Sequence, residues 1–105
     1  MTELGQEGVG TGVDGGIPQP DDVKDSAQFV AVMRQLRQWA GVSYRELERR
    51  AEAVGDVLPR ATLSGALSRQ ELPREELLAA FVRACGGDDT TVRAWTETRK
   101  RLACL

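Results

Sequence analysis

The stretch from Ser43 to Leu67, near the middle of the chain, restricts the possible fold more than any other. It opens with Ser43 and Glu46 in a Ser-x-x-Glu capping box. In such a box the hydroxyl accepts from the N–H three residues on, and the carboxylate reaches back to the N–H of the serine. An apolar face at helical spacing follows, made of Leu47, Ala51 and Val54. Gly55 is placed to end this helix.

A second, shorter helix is predicted in the same stretch. Pro59 stands at a first-turn position, where its missing N–H costs nothing. The narrow apolar stripe of this helix consists of Thr62, Leu63, Ala66 and Leu67. Because so short a stripe cannot fold alone, neighbouring helices must cover it. The joint between the two helices, Gly55–Leu58, is longer than a tight three- or four-residue turn.

Three more amphipathic segments surround this pair, and no strand pattern is found in the chain. The first helix is predicted from about Ser26 to Ala40, with Gly41 as its stop. A fourth has Pro73 at a first-turn position, as the third has Pro59, and a fifth begins at a cap provided by Asp88 or Asp89. The core predicted from the apolar faces consists of Phe29, Met33, Leu36, Leu47, Ala51, Leu63, Leu67, Leu77, Phe81, Val82 and Trp95. These patterns predict an all-α, five-helix bundle.

Residues 1–23 differ in composition from the rest of the chain. They are rich in glycine and include Pro18 and Pro20 but no basic residue. Their acids are Glu3, Glu7, Asp14, Asp21 and Asp22. Such a segment cannot bury enough apolar surface to offset its ordering entropy, so it is expected to be a disordered, acidic, glycine-rich tail. The folded domain, residues 24–105, then has 14 basic and 11 acidic residues and a net charge of +3.

The composition argues against an enzyme or a metal protein. There is no histidine, the commonest general base and a common metal ligand, so Ser43 and Ser64 have no histidine to activate them. Cys85 and Cys104 alone make no four-ligand metal site. The remaining carboxylates fall among arginines on helix surfaces, where solvated ion pairs are expected. We therefore expect no catalytic activity, no cofactor and no metal.

No run of residues has the length of a transmembrane span, and the beginning of the chain has neither the basic nor the apolar part of a signal peptide. We therefore expect a cytoplasmic protein that makes no contact with a membrane.

Three segments within residues 29–87 match, in order and spacing, the helices of a known family. MRQLRQWAGVSYREL is similar to a first helix, its glycine break and a second helix. LPRATLSGAL is similar to a recognition helix, and LPREELLAAFVRACGG to the packing helix and glycine that follow. The family that these segments resemble is the XRE-type helix-turn-helix family, which includes phage lambda repressor and Cro. The arginine-rich second helix, the longer joint and the two Leu-Pro-Arg openings resemble a variant common in actinobacteria.

The resemblance implies that the third helix enters the major groove of double-stranded DNA. Its candidate DNA-binding residues are Arg60, Ala61, Thr62, Ser64, Gly65, Ser68 and Arg69. Arg45, Arg49 and the start of the second helix would hold phosphates. Tyr44 stands where the family usually has a phosphate-binding glutamine, and Glu48 where it has a small residue. The 16 positions from Leu47 to Leu63 also exceed the usual interval.

Two functions remain open. The first is a DNA-binding transcriptional regulator, in which Arg60 contacts a guanine or a phosphate. The second is a protein–protein interaction module on the same scaffold. It is favoured by the low net charge, by the longer joint and by Gly65 in the third helix. A homodimer through the fifth helix, with Trp95 and the apolar end of the chain at its surface, is also expected. Trp39 either covers the edge of the core or anchors a protein partner.

Overall fold

The structure is a computed structural model that describes residues 16–105, whereas residues 1–15, which make up most of the predicted tail, lie outside the described residues. The described residues form five α-helices and no strand, which confirms the all-α prediction. The helices are α1 (Ser26–Ala40), α2 (Tyr44–Ala53), α3 (Arg60–Ser68), α4 (Glu75–Ala84) and α5 (Asp89–Ala103).

Side-chain caps and one left-handed glycine set the bounds of α1 and α2. The carboxylate of Asp25 accepts a hydrogen bond of 2.8 Å from the N–H of Gln28 at the start of α1. Gly41 ends that helix with a φ of +70°, and its N–H donates to two carbonyls of the last turn. The hydroxyl of Ser43 accepts from the N–H of Glu46 at 3.1 Å, which is one half of the predicted capping box, whereas the carboxylate of Glu46 accepts from Arg49 and Arg50. The chain therefore turns sharply between the two helices.

The two prolines lie slightly further outside their helices than predicted. Pro59 is the N-cap residue of α3, and Pro73 precedes Arg74, the N-cap residue of α4. Neither N-cap residue makes a side-chain hydrogen bond to its helix. The first backbone N–H groups of α3 and α4 are therefore not capped by side chains.

The core forms around Trp95 of α5, whose indole ring meets Phe29 of α1 edge-on with 5.4 Å between ring centroids. The predicted core residues are buried except Leu77, which is only partly buried. The sequence had assigned Leu58 to the connection between α2 and α3, yet its side chain is only 1% exposed. This joint is therefore anchored in the core.

The segment just before α1 packs on the helices. Pro20 and Val23 are buried, although the sequence assigned both residues to the tail. The carbonyl of Val23 also accepts a hydrogen bond of 3.2 Å from Arg101 near the end of α5. The core therefore includes residues before the expected boundary at residue 24.

Helix α4 packs against both α2 and α5, and α3 packs against α2 and α1. Two arginines strengthen these contacts by donating to carbonyls at helix C-termini, where the last carbonyls lack intrahelical partners. Arg50 of α2 donates to the carbonyl of Ala84 at 3.1 Å, and Arg34 of α1 donates to the carbonyl of Leu67 at 2.8 Å. The second bond fixes the C-terminal end of α3 against α1.

Candidate nucleic-acid interface

The connection between α2 and α3 is long but held at several points. The N–H of Asp56 donates to the carbonyl of Ala51 at 2.8 Å, which folds the chain back on the last turn of α2. The carboxylate of Asp56 accepts from Arg83 of α4 at 2.6 Å. Leu58 is buried beyond this point. These contacts give α3 a defined position relative to α2 despite the additional residues of the joint.

The outer face of α3 is accessible over its whole length. Leu63 and Leu67 point into the core, with exposures of 0% and 3%. The exposed candidates are Arg60, Ala61, Thr62, Ser68 and Arg69, and the half-buried ones are Ser64 and Gly65. The assignment of Thr62 to the inward stripe was therefore wrong, because this side chain lies on the outer face. The structure thus brings the α3 candidates together on one side of the helix.

Small side chains occupy the middle of this outer face. A Cβ atom added to Gly65 would meet no atom within 4 Å, so neither packing nor backbone conformation requires glycine there. The hydroxyl of Ser68 donates to the carbonyl of Ser64 at 2.8 Å and lies close to the helix. A partner could therefore approach the backbone of α3 closely at this point.

An open cleft lies between α2 and the beginning of α3. Its lining residues are Arg45, Glu48, Arg49, Glu52 and Arg60. Across the cleft, Nε of Arg60 lies 3.7 Å from a carboxylate oxygen of Glu48. Arg45 is exposed and has no ion-pair partner among the described residues. Three of the predicted DNA-binding arginines therefore meet at one place, together with two acids.

Arg49 is paired within its own helix. Its guanidinium donates two hydrogen bonds to the carboxylate of Glu46, and Arg50 donates a third at 3.1 Å. The hydrogen bonds from Arg49 and then Arg50 lower the pKa of Glu46, and the same carboxylate raises the pKa of Arg49. The side chain of Arg49 is nevertheless 69% exposed, so a phosphate could compete for it.

Tyr44 begins α2 and is half-buried. The guanidinium of Arg37 lies over its ring, 4.5 Å from the centroid, in a cation–π contact. Arg37 also donates to the carbonyl of Val42 at 2.9 Å. Through these contacts α1 fixes the ring at the start of α2.

Many of the arginines have structural partners. Donors to main-chain carbonyls are Arg34, Arg37, Arg50, Arg99 and Arg101. A count of basic residues therefore overstates the charge available to an outside ligand. Arg45 and Arg69 are exposed residues of the α2–α3 unit with no ion-pair partner among the described residues.

Among the described residues, no metal site and no membrane-spanning helix add to this surface. No group of three or more His, Cys, Asp or Glu side chains among residues 16–105 could hold a metal ion. The thiol of Cys85 is buried, and burial raises its pKa to about 12. No helix in the described part of the chain is both long and apolar enough to cross a membrane.

Two tryptophan predictions have different outcomes. Trp95 is fully buried in the core, so its predicted role on a pairing surface was wrong. Trp39, on α1, is 46% exposed and presents an apolar surface to solvent, which leaves both predicted roles open.

Comparison with known proteins gives one match. A family model described as a helix-turn-helix domain matches residues 28–95, a span that begins in α1 and ends in α5. No curated protein and no solved structure matches the chain.

Proposed function

Because the chain belongs to the helix-turn-helix domain family, we propose that it is a transcriptional regulator that binds double-stranded DNA through α3. One observation carries the proposal: Leu63 and Leu67 fix α3 in the core while its opposite face, beginning with Arg60, is exposed. An α-helix fits the major groove of B-DNA, where base pairs can be distinguished. Assignment to the XRE type, an actinobacterial origin and a cytoplasmic location are parts of the same proposal.

The outer face of α3 is suited to reading bases. Arg60 has the reach and the paired Nη donors to bind the O6 and N7 atoms of guanine. Ala61 and Thr62 offer methyl groups to a thymine methyl. Ser64 has a small side chain and Gly65 has none, so the helix can lie deep in the groove. Ser68 and Arg69 follow at the C-terminal end of α3.

Phosphate contacts are assigned to α2. Arg45 and Arg49 are exposed on the α2 side of the cleft, and Tyr44 lies at the beginning of the same helix. The positive end of the α2 dipole also favours a phosphate there. Such contacts orient the protein on DNA without reading its sequence. The proposal includes no catalytic step and no cofactor.

Selection of sites from random duplex DNA, followed by binding across a salt series, tests the proposal. Arg60→Ala should cost about 1–3 kcal/mol on the selected site and relax its sequence preference. Arg45→Ala and Arg49→Ala should weaken binding to all sequences alike. Each should flatten the dependence of log K on log salt by about one unit, because each removes a phosphate contact.

Lys24→Ala is the matched control, since Lys24 is an exposed basic residue just before α1 and belongs neither to the α2–α3 unit nor to α5. It should leave both affinity and salt slope unchanged. Equal losses for Arg60→Ala on selected and random DNA would show that α3 does not read bases. Absence of salt-dependent binding to any duplex would contradict the proposed function.

We also propose that the protein binds as a homodimer through the outer face of α5. A single short reading helix gives little discrimination, and paired half-sites about one helical turn (~34 Å) apart would increase it. Because Trp95 and Leu102 are buried, pairing would use the solvent-facing residues of α5 and the exposed Leu105. Sedimentation analysis of the protein, free and on the selected site, measures the stoichiometry directly.

A protein–protein interaction module remains the second candidate. Val54 and Val57, in the connection before α3, are 64% and 77% exposed, and Trp39 adds further apolar surface on α1. If no duplex binds in the selection, the function as a protein–protein interaction module takes precedence. If DNA binds with the expected Arg60 dependence, the exposed valines do not define the main function.

A further inference from the structure

The acid opposite Arg60 stands at an unexpected place for a DNA-binding surface. Glu48 lines the cleft between α2 and α3 with its side chain 31% exposed. A carboxylate there repels DNA phosphates, so it lowers affinity for every sequence alike. Its presence is therefore unfavourable for binding strength.

The geometry of the ion pair suggests what Glu48 contributes. Nε of Arg60 makes the closest approach to Glu48, at 3.7 Å. Two-point recognition of guanine uses a pair of parallel N–H donors, and the two Nη atoms at the end of the guanidinium provide such a pair. A carboxylate on the Nε side can therefore hold the arginine while its terminal donors remain available.

Holding Arg60 matters because its side chain has many rotamers. It is 52% exposed at the beginning of α3, where its motion is restricted by few neighbours. An arginine fixed in advance loses less conformational entropy when it binds guanine. It is also less able to turn aside to a phosphate when the base is wrong.

From these observations we propose that Glu48 is a positioning residue that orients Arg60 towards guanine, so that the pair determines base specificity. The inference rests on the proposed function and concerns the same surface. Glu48 lowers general affinity for DNA but increases the difference between guanine and the other bases at the position that Arg60 contacts.

Glu48→Gln tests this role because it keeps the size of the side chain and removes its charge. The variant is measured on the selected duplex and on duplexes substituted at the base pair whose preference depends on Arg60. Binding to all duplexes should strengthen, while the preference for guanine should fall about twofold, the factor that corresponds to an ordinary exposed ion pair. The ratio of affinities for guanine and for the other bases does not change when one negative charge is lost, because that loss strengthens binding to all duplexes alike.

Glu52→Gln is the matched control. Glu52 lines the same cleft, carries the same charge and has no ion-pair partner among the described residues. It should strengthen general binding as Glu48→Gln does but leave the preference for guanine unchanged. In an Arg60→Ala background, Glu48→Gln should no longer alter base preference, since there is no arginine to orient.

The possible outcomes separate the two proposals. If the unchanged protein binds no duplex in a salt-dependent manner, the proposed function fails. If it binds with a guanine preference that Arg60→Ala removes, but Glu48→Gln and Glu52→Gln behave alike, only the positioning role fails. Circular dichroism of each variant shows whether the fold is retained.

Discussion

At the scale of single residues, the direction in which a side chain points from its helix decides whether it is available to a ligand, more than its chemical type does. Leu63 and Thr62 are neighbours on α3, yet one side chain is fully buried and the other is exposed. The same holds for arginine: Arg34 donates to a carbonyl on another helix, whereas Arg45 is exposed on the cleft. Charge alone therefore does not identify a DNA contact, because a main-chain carbonyl such as that of Leu67 can bind the same guanidinium.

Neighbouring substitutions on α3 should differ sharply in their effect on stability. Leu63→Ala, and likewise Phe81→Ala on α4, should each cost about 2–5 kcal/mol, because both side chains are fully buried and leave cavities. Thr62→Ala is the control and should change the free energy of unfolding by less than about 0.5 kcal/mol. Urea denaturation measures all three; a small loss for Leu63→Ala would mean that α3 does not pack as described.

At the scale of elements, the helices differ in whether a side chain accepts a hydrogen bond from the backbone N–H groups of the first turn. Asp25, Ser43 and Asp88 each accept a hydrogen bond from an N–H in the first turn of α1, α2 and α5. Helices α3 and α4 begin without such a bond. These helices depend on packing instead, and in α3 the buried Leu63 and Leu67 supply it.

The cap of α5 should make stability depend on pH. A hydrogen bond from the N–H of Thr91, then one from its side chain, lowers the pKa of Asp88 below its usual 3.8. A lowered folded-state pKa stabilises the protein above pH 3.8, and this stabilisation is lost as pH falls through the folded-state value. Asp88→Asn keeps an acceptor oxygen but no charge, so it should be less stable than the unchanged protein at pH 7.

Urea denaturation between pH 7 and pH 2 checks this expectation. The stability difference between Asp88→Asn and the unchanged protein should disappear in acid, where the aspartate is protonated. A difference that stayed constant across the pH range would show that the charge of Asp88 contributes nothing to the cap.

At the scale of the whole molecule, residues distant in sequence close the bundle. The segment before α1 packs on the core through Pro20 and Val23, and Arg101 holds the carbonyl of Val23 from the other end of the chain. The edge-to-face contact of Phe29 with Trp95 joins α1 and α5 in the same way. The first and last parts of the domain therefore stabilise each other.

Val23→Ala should lower the free energy of unfolding by about 1–2 kcal/mol, since it removes two buried methyl groups. Asp22→Ala, at the preceding exposed residue, should change it by less than about 0.5 kcal/mol. Thermal and urea unfolding give the comparison. Equal small effects would mean that the segment before α1 contributes little to the core and that the folded domain starts near residue 24.

The number, order and approximate bounds of the helices follow from local patterns in the sequence. Local chemistry is sufficient for this, because caps such as Ser43 and stops such as Gly41 act within one or two turns. The periodicity of apolar residues also identified most of the core, including Leu63, Phe81 and Trp95. The candidates on α3 came from the family resemblance instead, and the periodicity had assigned the exposed Thr62 to the inner face.

The contacts between residues of different helices, in contrast, depend on how the helices pack. The burial of Val23 and Leu58 depends on surfaces supplied by distant segments, and neither has a local periodic signal. The pairing of Glu48 with Arg60 arises from the position of α3 against α2, which the long connection leaves undetermined in sequence. The edge-to-face contact between Trp95 and Phe29 likewise depends on how α1 and α5 pack together.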